Sequence, residues 1–210
     1  MSGSTPCPAA GRAGTLTADN STAGVLWQYY VHMRIRRATS ADAGAIADVH
    51  VRSWQAAYQG LVPQDYLDGM DPAEHRPTWE RRLAETAWPR MGVLVAEADG
   101  RVVGFAGMMP TRDHDEDPAS VAEIASIYLI PEAWDRGIGK ALMKAALDAL
   151  SRAGFRQATL WVLDTNVRAR RFYEATGWRN DGSIKQDTIR GLALIETRYR
   201  HPLADGDGPS

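Results

Sequence analysis

The chain has 210 residues, 44% hydrophobic and 24% charged, with a formal net charge of −2. That length suits one domain with a sizeable core, the charge leaves no basic footprint for nucleic acid, and no apolar run reaches the length of a membrane span. The single Cys7 excludes an internal disulfide and any cysteine-based zinc site, so no metal centre is expected.

Residues 1–32 read as a flexible N-terminal leader without the basic start and apolar stretch of a secretion signal, which suggests a cytoplasmic protein. Its last part, Gly24 to His32, is more apolar and reads equally as a packing arm or as sequence upstream of a start at Met33. Arg34 to Ala38 predicts a first strand. Thr39 and Asp42 form a capping box for a helix through about Tyr58, with Ile46, Val49, His50, Ser53, Trp54 and Ala57 on one side. Asp71, Pro72 and Glu74 open another helix running to about Glu85. Met91 to Ala98 and Arg101 to Met109 are strands joined by the turn Asp99-Gly100. Glu123 to Ile130 is a strand. Gly139 to Ala153 is a helix with Leu142, Met143, Ala146, Leu147 and Leu150 inward and Gly154 as its stop. Gln157 to Leu163 is a strand, Asn166 to Thr176 a helix ended by Gly177, and Leu192 to Tyr199 a last strand. Residues 204–210 read as a disordered tail. The order β-α-α-β-β-β-α-β-α-β mixes a hairpin meander with a βαβ unit, which predicts a mixed sheet in an α/β (α+β) domain over residues 33–203.

The chemistry concentrates at Pro131-Glu132-Ala133-Trp134-Asp135-Arg136-Gly137-Ile138-Gly139-Lys140. A strand ends, two glycines follow, and an amphipathic helix begins. Glycines let the backbone approach an anion, and the first N–H groups and dipole of the helix hold the charge. The dinucleotide fingerprint Gly-x-Gly-x-x-Gly fails because its third glycine is Leu142, and the P-loop fails because Gly139-Lys140 is followed by Ala141. The segment resembles the acyl-CoA pyrophosphate loop of the GNAT superfamily of N-acetyltransferases, Gln/Arg-x-x-Gly-x-Gly/Ala, with Trp134 at the first position. Downstream, Asn166, Ala169, Phe172, Tyr173, Gly177 and Trp178 match the family's Asn-x-x-Ala-x-x-Phe-Tyr-x-x-x-Gly-Phe. The resemblance covers roughly residues 33–200. It implies a mostly antiparallel sheet flanked by helices, with the fourth and fifth strands splayed to admit acetyl-CoA.

It also implies roles. Arg136, Gly137, Ile138, Gly139 and Lys140 hold phosphates. The backbone of Ile127, Tyr128 and Leu129 pairs with the pantetheine arm, and Asn166 either caps its helix or also reaches that arm. Tyr173 is the candidate general acid, its ordinary pKa of ~10 suiting donation to a thiolate. Glu123 is the candidate base, often acting through water in similar proteins, with Glu196 and His50 as weaker alternatives. Trp54 and Tyr58 belong to an aromatic patch expected to wall the acceptor. The acidic run Asp113 to Asp117 attracts a cationic amine or is a solvated loop. Of Arg168, Arg170 and Arg171, one reaches the nucleotide's 3′-phosphate or all are solvated.

The expected activity is acetyl transfer from acetyl-CoA to a primary amine of a small molecule or peptide, by direct attack in a ternary complex. A non-catalytic acyl-CoA-binding module and an enzyme for longer acyl chains are the alternatives. The last strands of similar proteins often pair, which leaves a homodimer open.

Overall fold

The computed structural model describes residues 33–189 and 191–203; the leader, Arg190 and the tail from residue 204 lie outside it. The strands are β1 (Arg34–Arg37), β2 (Gly92–Ala98), β3 (Arg101–Pro110), β4 (Val121–Leu129), β5 (Gln157–Leu163), β6 (Arg179–Ile189) and β7 (Leu192–Pro202). The helices are α1 (Ala43–Ala57), α2 (Gln64–Asp68), α3 (Pro72–Ala84), α4 (Ile138–Arg152) and α5 (Val167–Ala175). The strands form one sheet in the order β1-β2-β3-β4-β5-β7-β6, antiparallel throughout except for the parallel neighbours β4 and β5. The mixed sheet is therefore as the element order predicts, and its mostly antiparallel pairing with flanking helices is as the resemblance implies.

Local chemistry accounts for most boundaries. The Thr39 amide donates to Asp42 at 2.7 Å, completing the expected capping box, although a 3-10 turn over Ser40–Asp42 precedes α1. The same carboxylate takes both ends of the Arg36 guanidinium at 2.8 Å, and that pairing, against the cost of burial, holds its pKa at about 2. Asp99 and Gly100 both adopt positive φ, +51° and +73°, as a tight primed turn between right-twisted strands requires. Asp71 accepts from the Ala73 amide at 2.8 Å and caps α3, with Pro72 in the first turn. Along α4, Leu142, Met143, Ala146 and Leu150 are fully buried against the sheet, a burial that contributes roughly 1.5–3 kcal/mol for each large side chain.

The two faces of the sheet do different work. Phe105 on β3 packs edge-on against Trp79 of α3 at 4.8 Å, with His50 of α1 beside both. Leu129 at the end of β4 lies on the opposite face, against α4 and α5. A second, smaller cluster of Val62, Leu67, Leu163 and Leu194 sits under the α1–α2 connection.

Three elements depart from the sequence reading, the first being the short helix α2, which was not expected. The strand β6 was not expected, because Arg179 to Ile189 lacks apolar alternation and carries Asn180-Asp181-Gly182-Ser183. It is an edge strand held by backbone pairing to β7, with a register shift between Asn180 and Ile184 and with Ile184 70% exposed. Likewise β7 runs to Pro202 rather than stopping at Tyr199, because β5 pairs with it as far as Gln157 opposite Pro202.

Candidate active site

The parallel strands β4 and β5 pair over only three positions, Val121 with Gln157, Ala122 with Ala158 and Glu123 with Thr159. A bulge follows: Ser126 faces Gly107 while Ile124 faces Met108, which leaves the exposed Ala125 unpaired on β3. Bulges bend the strand that carries them. Beyond this point β4 and β5 diverge and a cleft of about 600 Å³ opens between them, walled by both strands, the start of α4, one side of α5 and the end of α1. The splay implied by the resemblance is present.

The edge of β4 supplies backbone groups to this cleft. Ile130 donates to Val103 on β3 at 3.0 Å. Strand polar groups alternate in direction, so those of Ile127 and Leu129 point the other way, into the gap, while Tyr128 pairs with Phe105 on β3. The side chain of Tyr128 instead stacks on His50 at 5.6 Å.

At one end of the cleft the loop turns into α4. Gly137 occupies the left-handed region at φ +77°, directly before Ile138. The first amide bonded along the helix is that of Ala141, to the Gly137 carbonyl, so the amides of Ile138, Gly139 and Lys140 precede the ladder. A side chain at Gly139 would meet the Phe172 ring at 3.4 Å, so the glycine keeps the loop close to α5 and the passage open. Lys140 lines the cleft, whereas Arg136 is exposed and off its wall, and the Ile138 side chain is buried in the core. Only the Ile138 backbone is available for the expected phosphate role. Together the cradle, the open strand edge and the cationic rim fit an acyl-CoA.

Asn166 is 6% exposed and caps α5, its Oδ1 accepting from the Ala169 amide at 3.1 Å, and it also lines the cleft. Two turns on, Tyr173 is buried among Phe172, Trp178 and Tyr199 and reaches the cleft wall. Burial, with a smaller contribution from Tyr128, pushes its hydroxyl far above the ordinary phenol range. Tyr173 therefore keeps its proton at neutral pH.

The aromatic patch is real but layered. Tyr58 stands on the cleft wall, and Trp54 packs behind it at 4.6 Å with its ring nitrogen buried and unpartnered. Burial, followed by the phenols of Tyr128 and Tyr173 and the Glu196 carboxylate, raises the Tyr58 hydroxyl well above its usual range. His50 lies in a box of Trp54, His75, Trp79, Phe105 and Tyr128. Burial first, then His75 and Arg82, lowers its pKa to about 4, so it is a neutral packed ring at physiological pH.

Glu123 does not stand on the cleft wall. It is 3% exposed at the closed end of the splay, and both its oxygens accept from Arg112, at 2.5 and 2.9 Å. Glu196 pairs with Lys185 at 3.0 Å on the same face of the sheet. The acidic run is not a solvated amine trap either. Arg198, 3% exposed, draws in Asp113, Asp115, Glu116 and Asp181, and Arg200 binds Glu116 and Asp181, so the run is tied to β7 and largely neutralised. Among the described residues no group of acidic or histidine side chains forms a metal site, and no helix is long and apolar enough to cross a membrane.

The comparisons with known proteins agree with this geometry. The profile described as the "Acetyltransferase (GNAT) family" matches residues 54–178, and the chain belongs to that family. It is similar to the uncharacterized N-acetyltransferase YuaI of Bacillus subtilis, 34% identical over 63% of this chain and 72% of that protein. An uncharacterized N-acetyltransferase of Archaeoglobus fulgidus is also 34% identical, over 72% of this chain and 96% of its own length. Among solved structures, the fold matches the PaiA N-acetyltransferase of Thermoplasma acidophilum in complex with coenzyme A, at TM-score 0.64 and 22% identity over 80% of this chain and all of that one. It also matches YncA, a putative acetyltransferase of Salmonella typhimurium with acetyl-CoA, at TM-score 0.63 and 22% identity over 85% of this chain and 98% of that one.

Proposed function

We propose that the chain is an acetyl-CoA-dependent N-acetyltransferase acting on a primary amine of a small molecule or peptide. The observation that carries this reading is the single cleft between β4 and β5, with the Gly137–Lys140 cradle at one end and the protonated Tyr173 hydroxyl in its wall. Acetyl-CoA, when bound, supplies an acyl thioester. The amides of Ile138, Gly139 and Lys140, with the Lys140 ammonium, hold its phosphates. The outward backbone groups of Ile127 and the amide of Leu129, whose carbonyl is taken by the Trp134 indole, orient the amide-bearing arm as a neighbouring strand would be held. Asn166 fixes the start of α5 and so sets the position of Tyr173.

Tyr173 donates its hydroxyl proton toward the departing sulfur. Its raised pKa makes this a hydrogen bond that stabilises the charge rather than an early, complete transfer. Tyr58 and Tyr128, with Trp54 behind them, form the acceptor wall. Removal of the amine proton runs through water to Glu123, each of whose oxygens keeps a lone pair beside its bond from Arg112. Direct attack in a ternary complex needs no nucleophilic cysteine, and the only one in the sequence is Cys7.

The test is thiol release from acetyl-CoA across a panel of primary amines, for the native chain and for Tyr173→Phe. Native turnover with at least one amine is expected, lowered about 100-fold in the variant with the affinity for acetyl-CoA nearly unchanged. Turnover within twofold of native would remove Tyr173 from the mechanism. A native chain that binds acetyl-CoA yet turns over no amine would favour the non-catalytic binding module.

A further inference from the structure

The first position of the phosphate loop carries Trp134, where the resembling pattern has a Gln or Arg able to bond a phosphate. The structure shows what the indole does instead. Its Nε1 donates to the carbonyl of Leu129 at 2.9 Å, which ties the loop to the last residue of β4 and fixes the ring at the cleft. The guanidinium of Arg168, on the first turn of α5, lies over that ring, its central carbon 3.9 Å from the ring centre. The same guanidinium reaches Asp135, the next loop residue, at 3.3 and 3.5 Å. Those contacts are long, and Asp135 is 91% exposed, so the ion pair is weak and easily exchanged.

The other arginines of α5 differ. Arg170 is committed to Asp164 at 2.7 Å and to the Tyr199 hydroxyl at 3.2 Å. Arg171 lines the cleft without a comparable platform. Stacking leaves a guanidinium's edge N–H groups available, in a fork that suits a phosphate better than it suits a single distant carboxylate. Arg168 lines the same cleft as Gly137 and Lys140.

We infer that Arg168 is a diphosphate-binding residue for coenzyme A, held over the glycine loop by Trp134, and that Asp135 occupies its guanidinium until the diphosphate replaces it. The cation that the loop position lacks is thus supplied from the neighbouring helix. This inference rests on the coenzyme A reading of the cleft.

Calorimetric titration at fixed ionic strength with coenzyme A, dephospho-coenzyme A and pantetheine tests it without any acceptor. Arg168→Met is expected to weaken coenzyme A and dephospho-coenzyme A alike, by roughly tenfold to a hundredfold, and to leave pantetheine unchanged. Trp134→Leu should produce most of that loss, and adding Arg168→Met to it should cost little more. Asp135→Asn should tighten coenzyme A binding in the native background and not beside Arg168→Met, a response that a merely structural ion pair would not give. Melting curves confirm that each variant is folded. Equal affinity of native and Arg168→Met for coenzyme A overturns the assignment. A loss confined to coenzyme A, absent with dephospho-coenzyme A, also overturns it, because the contact would then be with the 3′-phosphate. Failure of the native chain to bind coenzyme A at all would instead defeat the underlying reading of the cleft.

Discussion

Arg198→Met removes a cation that is 3% exposed and bonded to Asp113, Asp115 and Asp181 at 2.7–3.1 Å, with Glu116 at 3.5 Å. Breaking a buried pair from one side typically costs about 3–5 kcal/mol, because the partner charges stay behind. Here two things moderate the loss. Asp115 is 63% exposed and turns to water, and Arg200 still binds Glu116 and Asp181. Asp113 keeps only the Trp161 ring N–H, at 3.0 Å. The expected cost is therefore at the low end, about 3 kcal/mol, or roughly 6–12 °C in melting temperature for a chain of this size. The pH dependence has a definite sign. Arg198 bonding holds the Asp115 carboxyl below its usual range. For Asp181 burial opposes this, but the Ser183 amide and the bonds from Arg200 and Arg198 prevail and keep it low. A depressed folded-state pKa stabilises above the ordinary carboxylate value and loses that contribution as pH falls through the depressed one. The gap between native and variant should be full at pH 7 and narrower near pH 3, on calorimetric melts at both. A gap under about 2 °C at pH 7, or one that does not narrow in acid, would show that the cluster is a solvated surface array and refute the reasoning.

Gly137→Ala places a side chain at φ +77°, which costs about 1–2 kcal/mol. Gly154→Ala, at φ +85° with nothing within 4 Å, should lower the melting point by a similar amount. Only Gly137→Ala should also weaken acetyl-CoA, several-fold by titration; equal affinities in the two variants would mean that the loop's amides do not hold the ligand. For His50, the unfolded ring takes up its proton near pH ~6.5 and the folded one only near pH 4, so stability falls between those values on acidification. His50→Leu should flatten that limb by up to about 3 kcal/mol in urea titrations at pH 7 and pH 4.5, and an unchanged acid limb would place the lost proton elsewhere.

The helices and inner strands were legible because their signals are local. The capping pair Thr39–Asp42, the Asp99-Gly100 turn and the inward stripe of α4 each sit within a few residues and specify their own geometry. The strand β6 was illegible because nothing in Arg179–Ile189 alternates; pairing with the adjoining β7, and the bond from Arg198 of that strand to Asp181, make it a strand. The site divided in the same way. The glycine loop and the Asn166-to-Tyr173 segment were readable through their resemblance to the family's two patterns, and the structure brings both to one cleft. Glu123 and Trp54 were placed correctly in their elements, but depth is a tertiary property. One proved to be locked to Arg112 below the cleft, and the other to stand behind Tyr58. The acidic run misled for a related reason, since its neutralising arginines come from β7. Trp134 departs from the loop pattern at its first position, and its two contacts, with the Leu129 carbonyl and the Arg168 guanidinium, are tertiary and leave no mark in the sequence.

The parting of β4 and β5 has a consequence for solubility. A row of open strand groups normally lies at the rim of a molecule, where it invites a neighbouring protein to dock and aggregate. This fold carries such a row in mid-sheet, on the β4 side of the cleft that Tyr58 and Phe172 also line. At its closed end the row adjoins the paired positions of β4 and β5, so it faces another strand of the same sheet and not the rim. The groups most prone to indiscriminate pairing thus lie between two strands of one sheet, away from its outer edges at β1 and β6.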